Sequence, residues 1–88
     1  IIASYRNQIR TCYERALIGT PNLAGRIVYQ WRITPIGNVI TAQVTKATLE
    51  SSNLKTCVLE VIQKMQFPKA PNGLPTTVIY PFVFQGKN

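Results

Sequence analysis

Two cysteines and three glutamates are the side chains from which acid–base, thiol or metal chemistry would have to be built, since the chain has no histidine and no aspartate. General acid–base catalysis needs titratable groups positioned against a reacting atom. Glu14 stands four residues after Arg10, and Glu60 four before Lys64, the spacing of exposed helical ion pairs. Glu50 precedes Ser51-Ser52-Asn53, where a helix N-terminus favours a carboxylate. A structural zinc takes four nitrogen or sulfur ligands, more than two cysteines without histidine supply. Gly19 and Gly25 are too far apart for a phosphate-binding loop, and its lysine is missing. A thiol nucleophile would need a base. The chain reads as a non-enzyme, with no catalytic residue, cofactor or metal site.

The cysteines have a different use. Tyr5, Ile9, Cys12, Tyr13 and Ala16 recur at helical period and predict a helix over Ser4 to Ile18, stopped by Gly19 with Pro21 beyond. Leu54, Cys57, Val58, Val61, Ile62 and Met65 predict a second helix. Any of Ser51, Ser52 or Asn53 can cap it, and Phe67-Pro68 ends it. Each cysteine lies on an apolar stripe, and both stripes face the same layer. Two readings stand: buried free thiols, or one inter-helix disulfide between Cys12 and Cys57. An even count and matched inward placement favour the bond in an oxidising compartment.

Between the helices, Gly25 to Val44 reads as a β-hairpin. Ile27, Tyr29, Trp31 and Ile33 alternate with Arg26, Val28, Gln30 and Arg32, the pattern of a strand buried on one side. Pro35-Ile36-Gly37-Asn38 supplies turn chemistry. Ile40, Ala42 and Val44 then alternate against Thr41, Gln43 and Thr45. Lys69 to Pro75 is a loop. Thr76 to Phe84 is a third strand, with Val78, Tyr80, Phe82 and Phe84 on one face and Ile79, Pro81 and Val83 on the other. Proline cannot donate to a ladder, so this is an edge strand with Pro81 facing outward. The helical crossover makes strands two and three parallel to each other, with strand one between them and antiparallel to both. The expected class is α+β: an α-β-β-α-β two-layer sandwich, sheet order 2-1-3, both helices on one face. Tyr13, Trp31 and Phe67 are expected in its core.

At 88 residues the chain is expected to be one domain, residues 1–88, burying roughly 60–65% of its unfolded surface. No apolar run could span a bilayer, and the start at Ile1-Ile2 suggests a piece excised from a longer protein. The net charge of +7 favours an acidic partner, although the scatter of the ten cations favours a solvated surface that keeps the domain soluble over a dedicated basic patch. A basic nucleic-acid-binding module is the rival reading, with Tyr29, Trp31, Tyr80 and Phe82 as a stacking platform beside Arg26 and Arg32. The faces assigned above put Tyr29 and Trp31 in the core instead, and no nucleic-acid motif accompanies them.

Thr11-Cys12-Tyr13-Glu14-Arg15 resembles the Cys-Tyr-Glu-Arg motif of AgmX/PglI-type C-terminal domains. These are relatives of the TonB and TolA C-terminal domains, carried by myxobacterial gliding-motility proteins and others. The likeness continues through Leu23-Ala24-Gly25-Arg26, Pro35-x-Gly37-x-Val39, Cys57-Val58, Phe67-Pro68 and Tyr80-Pro81-Phe82-Val83-Phe84. Ile36 departs from it where an aspartate is usual, as do Met65 and Gln66 where a tryptophan is common. The resemblance implies a periplasmic domain of an inner-membrane-anchored protein, coupling a proton-driven motor complex to an envelope or outer-membrane protein segment. It implies strand addition, not catalysis; neither nucleic acid nor direct membrane insertion by the domain itself is expected. On that reading the partner binds along the edge strand, Val78, Ile79, Tyr80, Pro81, Phe82, Val83 and Phe84; the alternative is that these residues complete the core and the C-terminal tail covers the edge.

Overall fold

The computed structural model describes residues 2–85. A 3₁₀ turn at Ile2–Tyr5 leads into helix α1 (Arg6–Gly19). Strands β1 (Gly25–Ile33) and β2 (Val39–Ala47) form the hairpin, helix α2 (Ser52–Gln63) crosses over, and β3 (Thr76–Phe84) follows. The sheet order is β2-β1-β3, with β1 antiparallel to both neighbours. This is the α+β layout read from the alternation. Four boundaries move: both ends of α1, the end of α2, which stops at Gln63 before Phe67-Pro68, and the end of β2, which runs past Val44 to Ala47. α1 starts at Arg6 because the preceding turn is wound more tightly, and it runs through Gly19 to a cap at Thr20.

One face of β1 organises the core. Ile27, Tyr29 and Trp31 are fully buried, as are Leu54, Val58, Ile62 and Met65 opposite them. Ile9 and Cys12 of α1 and Phe82 and Phe84 of β3 complete the cluster. Tyr29 donates its hydroxyl to the Lys55 carbonyl at 3.0 Å, which ties the central strand to the first turns of α2. Its ring meets Phe82 edge-on at 5.6 Å between centroids. α2 opens at Ser51, whose hydroxyl accepts the Leu54 N–H at 3.2 Å. Its exposed ion pair is not the expected one. Among the described residues the pairs are Arg10–Glu14 and Lys55–Glu50. Lys64 is already the C-cap, its N–H drawn to the Val61 carbonyl, and it does not reach Glu60.

β2 departs from simple alternation. Its register with β1 slips at Val28/Tyr29 and at Arg32/Ile33, leaving Thr45 and Ile40 as extra residues. Each β-bulge turns two consecutive side chains outward, Ile40-Thr41 and Thr45-Lys46. Val39, Ala42, Val44 and Ala47 then pack inward. Ile40, expected on the inner face, is 58% exposed for this reason. At the hairpin tip Gly37 has φ +100°, and a Cβ there would fall 1.9 Å from the Phe67 carbonyl oxygen. Glycine is required at that contact.

Two outcomes follow from this packing. Trp31 is 0% exposed and its Nε1 has no hydrogen-bond partner, so truncation removes packing alone. Trp31→Ala should cost about 3–5 kcal/mol in denaturant unfolding. Burial holds the Tyr29 phenol well above its ordinary pKa of 10.0. A group raised on folding contributes fully below its unfolded pKa and loses that contribution as pH rises beyond it. Stability should therefore fall above about pH 10, and Tyr29→Phe should flatten that limb in alkaline denaturation curves.

Candidate functional site

The two long edges of the sheet are unlike. The Thr48 N–H donates to the Arg26 carbonyl at 2.8 Å, and the Thr45 hydroxyl reaches the Val28 carbonyl at 3.3 Å. Both contacts come from the β2 side. Even-numbered residues of β1 therefore aim their main-chain groups at β2, and odd-numbered residues aim theirs at β3. The unbroken register pairs Ile27 with Phe82, Val28 with Pro81 and Tyr29 with Tyr80. Thr76, Val78, Tyr80, Phe82 and Phe84 thus bond to β1, while Thr77, Ile79, Pro81 and Val83 turn their main-chain groups outward. Pro81 costs no ladder bond there. The outward edge offers the N–H groups of Thr77, Ile79 and Val83 and the carbonyls of all four residues.

β2 is blunted instead. It carries two bulges and Lys46, and its entry is occupied where Asn38 bridges to Gln66 and the Phe67 N–H donates to the Gly37 carbonyl at 2.9 Å. β3 is regular over nine residues and has no charged side chain.

Helix α1 overhangs this free edge. A groove of about 550 Å³ runs between them, lined by Arg6, Ile9, Tyr13, Tyr80, Phe82 and Phe84 among others. The Tyr13 ring packs on Phe84 at 5.2 Å, and its hydroxyl donates to the Leu23 carbonyl. Tyr80 is 39% exposed and lies against Phe82 at 4.9 Å, an aromatic wall open to the groove. Tyr13 and Phe67 are half-buried against the core that Trp31 fills. The helix is held along its length. The Tyr5 hydroxyl accepts the Gln66 N–H at 3.3 Å, and Cys12 is bonded to Cys57 of α2 across a Cα–Cα distance of 5.6 Å.

Among the described residues no three of His, Cys, Asp and Glu gather to hold a metal. No helix among the described residues is long and apolar enough to cross a membrane. The residues that the sequence groups as a stacking platform are divided by the fold: Tyr29, Trp31 and Phe82 are buried, and Arg26 and Arg32 lie on the other face of β1.

Residues 20–85 match the family described as "Gram-negative bacterial TonB protein C-terminal". The chain belongs to this family. The matched stretch holds the TonB-type hairpin, α2 and β3, and it begins just after α1. A solution structure of the TonB C-terminal domain of Helicobacter pylori superposes with a TM-score of 0.66 at 18% identity, covering 97% of this chain and 83% of that one. That likeness speaks to the fold, and it extends over α1 as well. No curated protein matches the chain.

The groove and the outward parity of β3 have no sequence motif of their own. Pro81 carries the one signal for the parity, and the cysteine pair the one signal that α1 is pinned beside α2. The bond closes a loop with a sequence separation of 45. Cys12→Ser with Cys57→Ser should therefore lower stability by about 4 kcal/mol on the chain-entropy account. Denaturant midpoints of the two proteins measure it, and equal midpoints would contradict a stabilising role.

Proposed function

We propose that this TonB-family chain is a periplasmic protein-interaction module that captures an extended segment of an envelope or outer-membrane protein by strand addition along β3. The free, uncharged edge of β3 carries the reading. Main-chain groups at Thr77, Ile79, Pro81 and Val83 give affinity, and side chains entering the groove beside α1 give selectivity. Pro81 offers an acceptor but no donor, so a guest strand loses one bond midway. Family membership and the absence of a catalytic constellation among the described residues both support binding without chemistry.

The wider setting belongs to the same proposal. Residues 1–88 act as one domain of a longer protein anchored in the inner membrane, where a proton-driven motor complex moves it against its envelope partner. The motifs around Cys12-Tyr13-Glu14-Arg15 favour the AgmX/PglI type, and with it gliding motility or a related energy-transducing task. The domain itself inserts no segment across the membrane and binds no nucleic acid.

The test is an amide chemical-shift titration with peptides tiled across periplasm-facing segments of outer-membrane proteins from the same genome. Shifts should centre on Val78 to Phe84, and shifts confined to the helices would rule strand addition out. Ile79→Pro removes an outward N–H and leaves the β1 ladder whole, so it should weaken peptide binding by about tenfold, the worth of one or two hydrogen bonds, with little loss of stability.

A further inference from the structure

The sheet has a second unpartnered surface, the face turned away from both helices. Cross-strand neighbours arrange it as lanes. Val83 stands beside Arg26, Pro81 beside Val28, Ile79 beside Gln30 and Thr77 beside Arg32. On the other side Lys46 stands beside Val28, Gln43 beside Gln30 and Thr41 beside Arg32. An aliphatic lane on β3 therefore adjoins a lane that begins and ends in arginine. Ile79 and Val83 are 63% and 61% exposed, and the bulge adds Ile40 to the same face.

The carboxylates are all elsewhere. The three glutamates of the chain lie on the helical side: Glu14 on α1, Glu60 on α2, and Glu50 paired at 3.8 Å with Lys55 of α2. The groove beside α1 is lined by residues of α1 and of the β3 end, and by none of β1 or β2. The face thus presents cations and protruding aliphatic side chains, and the groove described above lies between α1 and β3 instead. A folded protein partner draws most of its affinity from anchors seated in pockets. A fluid surface of anionic headgroups needs none, since lipids rearrange around each cation while short apolar side chains enter the interface.

We infer that this open face docks on an anionic phospholipid surface, with Arg26, Arg32 and Lys46 on the phosphates and Ile79, Val83 and Ile40 at the acyl boundary. The contact is peripheral and leaves the outward edge of β3 free for a guest strand.

Vesicle co-sedimentation tests it, with phosphatidylglycerol–phosphatidylethanolamine vesicles against phosphatidylcholine vesicles. The chain should bind the anionic vesicles and leave the neutral ones, with affinity falling as salt rises. The triple variant Arg26→Gln, Arg32→Gln, Lys46→Gln should lose about a hundredfold, from roughly fivefold for each cation. A control of equal charge, Arg10→Gln, Arg15→Gln, Lys64→Gln, should lose only a few-fold. Ile79→Ser with Val83→Ser should weaken the binding that survives in high salt. Equal losses in the two triple variants would overturn the proposal by reducing it to net charge. Binding to soluble polyglutamate but not to anionic vesicles would overturn it in favour of an acidic protein partner.

Discussion

Ile27, Tyr29, Trp31 and Ile33 must leave water on one side of β1, and the placement of every other element follows from covering them. A strand in the middle of a three-stranded sheet has neighbours on both edges, so only its faces can differ. Here one face is aromatic and aliphatic and the other carries Arg26, Gln30 and Arg32. The layer of helices therefore has one place to go. α2 brings Leu54, Val58 and Ile62 onto Trp31 and Tyr29, and the Tyr29 hydroxyl bonded to Lys55 sets where along the strand α2 begins. The same strand divides the molecule's duties: buried cohesion above, a basic and amide-lined surface below.

The family match and the disulfide together describe how α1 is attached. The matched stretch starts at residue 20 and already contains the sheet and α2. α1 is weakly amphipathic and carries only Ile9 and Cys12 fully into the core. Its remaining hold is specific: Tyr5 on Gln66, Tyr13 on Leu23 and Phe84, Cys12 on Cys57. A helix fixed at points leaves a groove where one pressed flat would leave none. That groove lies beside the one strand whose outer edge is regular and unblunted.

Much of this was legible in the residues. Period-two alternation with the lone tryptophan marked β1 as central, the crossover set the sheet order, and Pro81 told which side of β3 is outward. The structure's departures have local causes that composition does not register. A β-bulge inserts a residue without changing residue types, so Ile40 kept its place in an apparent alternation while its side chain moved to the other face. Helix ends are set by the competition of caps and tight turns, and so α1 began at Arg6 and Lys64 fell out of reach of Glu60. The groove is a tertiary vacancy between two elements far apart in sequence. Only the relative position of α1 and β3 creates it.

The Cys12–Cys57 bond has a mechanical consequence. Tension entering through α1 crosses directly from Cys12 to Cys57 and continues through α2 toward β3, while the residues from Tyr13 to Thr56 lie in a closed covalent loop whose ends that bond holds together. The hairpin that holds Trp31 lies wholly within that loop. Pulling on the ends of the chain can therefore peel β3 or extend the turns outside the bond, but it cannot stretch the β1–β2 hairpin between its own ends.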